Sequence, residues 1–303
     1  LTNISTTPVH VAFDEACRKA EARGIRVTGS ELVGMIPLGA MLDAGRYFLR
    51  KQQRSLGVSN QELIKIAVKS LGLGDLYPFK PEEKIIEYAM AARRGESRRL
   101  VDLSLADFVE ETASESPAPG GGSVAAAVGA MGAALATMVA NLSAHKRGWD
   151  DRWEEYSNWA ERGKTFHAEL LRLVDEDTAA FNRLMDTFGL PKGTEAEKAA
   201  RQKAIQGATQ GAIEVPFRVM RTALASMEVM KAMAEIGLPA SVSDAGVAAL
   251  CARSAVMGAF LNVMINCPNL TDKAYVADML IQGAELQRQA EEREREILEI
   301  VGG

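Results

Sequence analysis

Residues 116–138, SPAPGGGSVAAAVGAMGAALATM, constrain this chain more than any other stretch. Two prolines and three glycines, which cannot continue a helix, lead into a run of Ala, Val, Gly and Met with no charge. A helix with small side chains on every side is not amphipathic. It must be wrapped by other helices, and those helices can approach its backbone closely because nothing holds them away. Ser123 is read as the N-cap after the glycines. The loop formed by Gly120, Gly121 and Gly122 then offers free backbone N–H groups at the positive end of a buried helix, where an anionic ligand could sit. A flexible linker is the plain alternative. A dinucleotide loop is disfavoured: residues 120–125 fit a loose G-x-G-x-x-A, but residues 110–119 form no strand. No acid lies ~20 residues downstream, the next being Asp150, and no P-loop lysine follows the glycines.

The 303 residues suffice for two domains and a sizeable core. With 47% apolar and 25% charged residues the chain reads as soluble and globular. A net charge of −5 argues against a general nucleic-acid or membrane-surface role. Cys17, Cys251 and Cys267 make no zinc spacing, and an odd count argues against a disulfide framework, so a reducing cytoplasm is the expected setting. The apolar run at 124–139 is broken by glycines and followed by His145, Lys146 and Arg147, which points to a core helix rather than a membrane span. No signal peptide is visible, although a chain that starts at Leu1 gives that little weight.

Residues 1–92 read as mixed α and β. Thr7-Pro8 opens a helix ending at Gly24, short β-like runs lie at 25–27 and 32–36, Pro37 starts a helix to about Arg54, and Ser59-Asn60 caps another to about Leu71. This is too little sheet for a complete α/β domain and fits a chain that begins partway through one. A polar, basic linker is expected at 93–103, with Ser104 and Asp107 resembling a capping box. Beyond it the pattern is helix after helix, at about 104–114, 123–146, 150–188, 195–236, 243–267 and 272–299, with Pro216 expected to kink the fourth. The fold class is therefore mainly α, a helical domain at 104–303 behind a smaller mixed one.

Two helices carry residues suited to chemistry. Leu170, Leu173, Val174, Phe181, Leu184 and Phe188 form an apolar stripe at helical spacing, and Asp177 falls within it. A carboxylate there must be paired, hydrogen-bonded or raised in pKa, which makes it a candidate general acid or base or else a structural aspartate tied to a neighbouring helix. Asp175, about 200° round the helix, is expected to face water. In the helix at 243–267, Asp244, Ala248, Cys251, Ala255, Ala259, Asn262 and Asn266 share a face. The asparagines can orient a heterocyclic amide ligand or bridge two helices. Lys146 and Arg147 end a helix, where cations complement its dipole in any case, and Lys146 is also a candidate for a substrate carboxylate. His10, His145 and His167 make no metal-ligand pattern or visible triad.

These motifs resemble bifunctional formiminotransferase-cyclodeaminase, an enzyme family of histidine breakdown and folate one-carbon metabolism, along nearly the whole chain. The sequences SELVGMIPL at 30–38 and EKIIEY at 83–88 resemble the folate-binding C-terminal subdomain of the formiminotransferase. The stretch 116–127, LVDED at 173–177, LPK at 190–192 and NVMIN at 262–266 match cyclodeaminase motifs. The resemblance implies Asp177 as the catalytic residue and an all-helical cyclodeaminase bundle at 104–303. Before it would stand a partial α+β, ferredoxin-like subdomain. The resemblance also implies a dimer of the helical domain within a larger ring-shaped oligomer. The implied reaction converts 5-formimidoyltetrahydrofolate to 5,10-methenyltetrahydrofolate and ammonia, with no cofactor beyond the folate substrate and no metal. Gly120 to Ser123, Lys146 and Lys192 are the expected partners of the glutamate tail, whether single or polyglutamylated. The family's formiminotransferase histidine lies in a subdomain this chain lacks, and His10 does not match it, so transferase activity is not expected of the chain alone. A methenyltetrahydrofolate cyclohydrolase and a non-catalytic folate-binding module are the alternatives.

Overall fold

The computed structural model describes residues 3–4, 6–94 and 99–303. Among them the helices run in the order α1 (Val9–Glu21), α2 (Leu38–Lys51), α3 (Asn60–Ser70), α4 (Pro81–Lys84), α5 (Ile86–Arg94), α6 (Leu105–Ala113), α7 (Gly121–Ala144), α8 (Trp153–Phe188), α9 (Glu195–Ile236), α10 (Val242–Asn266) and α11 (Lys273–Gly302). Four of their starts follow side-chain chemistry. Ser59 Oγ accepts from Glu62 N, Ser104 Oγ from Asp107 N and Asp272 from Tyr275 N, while Thr194 and Glu197 form a reciprocal capping box.

The expected β runs at 25–27 and 32–36 are not strands. Among the described residues only an isolated parallel bridge joins Ile36 to Ile85, through Ile36 N to Lys84 O (2.9 Å) and Ile86 N to Ile36 O (3.0 Å). A strand is made by its partner, and here only one position of the extended run finds one. The expected linker also begins later than 93, because α5 continues to Arg94; residues 95–98 lie outside the described ones. After them a short 3₁₀ turn, Leu100–Asp102, is pinned to α8 where Leu100 N donates to Asp175 Oδ1 at 2.7 Å. Asp175 is thus half-buried and engaged, not turned to water as its helical angle suggested.

Two cores result. The smaller unites Ile36, Met41, Ala44, Phe48, Ile64, Ala67, Leu71 and Ile85. The larger is built from α7 to α11. Residues 55–57 join them: Ser55 N donates to His145 Nε2 (3.1 Å), Ser55 Oγ to Asn141 Oδ1 (2.6 Å), Leu56 N to Ser157 Oγ (3.0 Å), and Asn141 Nδ2 to Gly57 O (3.2 Å).

Within the large core α7 lies antiparallel to both α8 and α10, and small residues allow the close approach. A Cβ on Gly132 would stand 2.8 Å from Ala248 O and 2.9 Å from Cys251 Cβ. The wrapping is incomplete, however. Met131, Met138 and Leu142 are 51%, 38% and 43% exposed along one side of α7, and Val247, Leu250, Leu261 and Ile265 are exposed on α10. By length and apolar composition alone, α7 and the stretch 239–269 would each suffice to cross a membrane.

Candidate active site

The N-terminus of α7 meets the middle of α8. Position 123 is not the N-cap: the cap is Gly120, and Ser123 lies inside the first turn, fully buried. Three glycines in succession let the helix start earlier than hydroxyl chemistry alone would suggest. The Ser123 hydroxyl is spent on α8, 3.0 Å from both Val174 O and Asp177 Oδ2 and 3.1 Å from Thr178 Oγ1. Gly122 faces the carboxyl group so closely that any Cβ there would overlap Asp177 Oδ1. Burial pushes the Asp177 carboxyl above the ordinary aspartate range, while the hydroxyl and backbone N–H of Ser123 pull it part of the way back.

Asp177 opens onto a cavity of about 430 Å³. Its walls are Pro117, Ala118 and Gly120 from the entry loop; Gly121 from the start of α7; Thr178, Phe181, Leu184, Met185 and Phe188 from α8; Ala212 from α9; Asn262, Ile265 and Asn266 at the end of α10; and Asn269 from the short turn after it. α9 passes through Pro216, which has no N–H for the carbonyl four residues back. That carbonyl, Ala212 O, accepts instead from Asn266 Nδ2 at 3.3 Å. Asn266 Nδ2 also donates to Asn262 O, and Asn262 Nδ2 donates to Gly258 O, both at 2.9 Å. Asn266 Nδ2 thus uses both its N–H groups and Asn262 Nδ2 one of two, so each Oδ1 remains an acceptor and Asn262 keeps one donor. The wall therefore combines a carboxyl group, side-chain amides and aromatic rings, with no Lys, Arg or His among its described residues. Such a site suits a planar ligand rich in N–H groups or carrying positive charge.

The structure brings Gly120, Gly121, Asp177, Asn262 and Asn266 together on this wall, with Gly122 and Ser123 directly behind Asp177. It separates the others. Lys146 follows the last turn of α7, 23 residues from Ser123 and so about 35 Å along the axis. Asp244 stands in the first turn of α10, 18 residues or about 27 Å from Asn262. A shared helical face does not mean a shared site when the helix is this long. Lys192 is exposed in the loop after α8 and is not a wall residue. Phe181, Phe188 and Asn269 were not expected as binding residues. The two phenylalanines read as core stripe, although Phe188 is 51% exposed and turns toward the cavity. A larger cavity of about 630 Å³ lies beside α3, lined by Lys65, Lys69, Asp75, Phe79, Glu82 and Tyr88 among others, and none of the expected site residues opens onto it. Among the described residues no three His, Cys, Asp or Glu side chains come together to hold a metal ion.

A family profile described as formiminotransferase-cyclodeaminase matches residues 104–285, and one described as formiminotransferase domain matches residues 1–91. The chain is 37% identical over 275 residues to formimidoyltransferase-cyclodeaminase of Mus musculus, covering 91% of this chain and 50% of that protein. It spans about half the length of this relative. It is 38% identical over 173 residues to methenyltetrahydrofolate cyclohydrolase of Methylorubrum extorquens, covering 57% of this chain and 83% of the relative. The crystal structure of formiminotetrahydrofolate cyclodeaminase from Thermotoga maritima superposes with a TM-score of 0.59 at 30% sequence identity, covering 66% of this chain and 96% of the other.

Proposed function

Since the chain belongs to the formiminotransferase-cyclodeaminase family, we propose that residues 104–303 form a cyclodeaminase unit that converts 5-formimidoyltetrahydrofolate to 5,10-methenyltetrahydrofolate and ammonia, with Asp177 as the proton-transfer group. The observation that carries this reading is a carboxyl group of raised pKa, fixed by Ser123, on the wall of a cavity whose described lining includes no Lys, Arg or His.

The chemistry asks for such a group. N10 of the folate attacks the carbon of the protonated formimidoyl group, so that N10 gains positive charge. A base must then remove the N10 proton, and the former imine nitrogen must receive one before it can leave as ammonia. One carboxyl group between the two nitrogens serves both transfers, and as a carboxylate it balances the delocalised cation of the methenyl product. A raised pKa brings its two protonation states closer in energy near neutral pH. The amide oxygens of Asn262 and Asn266 accept from the N–H groups of the pterin, and Phe181 and Phe188 offer it flat surface. The reaction needs no cofactor beyond the tetrahydrofolate substrate.

In the second reading the unit hydrolyses 5,10-methenyltetrahydrofolate, with Asp177 as the base for water; the 38% identity to a cyclohydrolase favours it. The two separate on one assay, since only the deaminase releases ammonia. General acid–base work is worth about 10²–10⁴-fold. Asp177→Asn should lose turnover in that range while binding a stable folate analogue nearly as the parent does. Full ammonia release by a folded Asp177→Asn protein would remove Asp177 from the mechanism. We assign the exposed apolar sides of α7 and α10 to contact with a second copy of the chain rather than to a membrane, with the cytoplasm as the setting.

A further inference from the structure

Resting on the folate reading above, we propose that Arg201 binds the carboxylate end of the ligand in the Asp177 cavity and gives the site its preference for anionic folates. A ligand with a glutamate tail needs a cationic partner, yet among the described residues the cavity wall has none, and Lys146 lies at the far end of α7. The second turn of α9 places Arg201 against the wall from outside. Its guanidinium carbon lies 6.0 Å from the centre of the Phe188 ring, and Nη2 donates to Phe188 O at 3.2 Å. That one bond closes the C-terminal end of α8 and is a structural role. It uses one of five N–H donors. The Nε atom is buried without an acceptor, and among the described residues no carboxylate pairs with the guanidinium.

Arg201 is only partly exposed, and a carboxylate beside it would supply the acceptor that its Nε atom and free N–H groups lack. Next to Phe188, whose exposed ring lines the cavity, the arriving carboxylate of a bound ligand is such an acceptor. Arg offers it a two-pronged donor, which also fixes the tail's direction. Pterin and glutamate are thereby held at separate places: the amide oxygens and Asp177 at one, Arg201 beside Phe188 at the other.

Two ligands test this by calorimetry: 5-formyltetrahydrofolate, and the same compound with both glutamate carboxylates as methyl esters. The parent should bind the diacid more tightly than the diester. Arg201→Gln keeps an N–H for Phe188 O but removes the charge. It should weaken diacid binding about tenfold or more and leave diester binding unchanged, with the melting temperature near that of the parent. Arg201→Lys, which keeps the charge, should recover part of the diacid affinity. Equal losses for both ligands would reduce Arg201 to a helix cap, and a parent indifferent to esterification would overturn the proposal without any variant. Failure of the parent to bind either ligand would instead overturn the folate reading on which the proposal rests.

Discussion

At the scale of single residues the site is defined by a conflict. Asp177 is retained where burial works against its charge, and Ser123 offsets only part of that cost. Its pKa is raised on folding, so its contribution to stability is fully present below the ordinary aspartate pKa, about 3.9, and is lost as pH rises through the raised folded value. Asp177→Asn does not titrate. The variant should therefore melt progressively higher than the parent as pH is raised from about 4 through the raised folded value. Denaturation curves across that range check the sign, and a gap that shrinks with pH would contradict it. Asp175, two residues away, has a different task. Asp175→Ala strips the acceptor from Leu100 N and should lower stability by about 1–3 kcal/mol with turnover per folded molecule unchanged. Asp175→Asn keeps an acceptor and should cost less. Loss of turnover in a folded Asp175→Ala would show that this carboxylate also takes part in the chemistry.

At the scale of elements, α7 serves as a spine because it is thin. Its N-terminus reaches Asp177 only because positions 121 and 122 have no side chains. Farther along, Gly132 lets α10 approach to within van der Waals contact. Gly132→Val has no space beside Ala248 O and Cys251 and should cost about 1–3 kcal/mol or more through displacement of α10. Urea unfolding measures this. Stability equal to the parent would mean that the two helices separate at no cost. The end of α10 is fixed from α9 as well, where Pro216 releases the Ala212 carbonyl and Asn266 takes it. A proline that sequence reading treats only as a helix-bending residue thus helps to orient an amide on the cavity wall.

At the scale of the whole molecule, the exposed apolar rows on α7 and α10 lie on two helices that pack against each other, and together they form a surface expensive to leave in water. A second copy offers an identical surface, so a two-fold arrangement covers both at once. Sedimentation should show the parent as a dimer or a multiple of it. Met138→Lys combined with Leu261→Lys should shift it to monomer without loss of helix content. A parent that sediments as a monomer at assay concentration would contradict this. The seam at 55–57 gives the smaller core a fixed seat on α7 and α8, so the two parts are not simply tethered.

The sequence alone determined the helical class and the long helices to within a few residues of their ends, and it singled out Asp177 as a candidate. Each of these rests on local periodicity: 3.6 residues per turn, breakers between helices, and one carboxylate out of place on an apolar stripe. It also placed Asn262 and Asn266 among the candidates. The tertiary structure decided which of those candidates meet. Residues on one helical face can stand about 27–35 Å apart, which separates Lys146 and Asp244 from Asp177, whereas the meeting of Gly122 with Asp177, and of Arg201 with Phe188, joins residues of different helices and has no local signal. The β-like runs of the first 36 residues had the right composition for strands, but a strand depends on the neighbour that pairs with it, and pairing is not a property of the run itself.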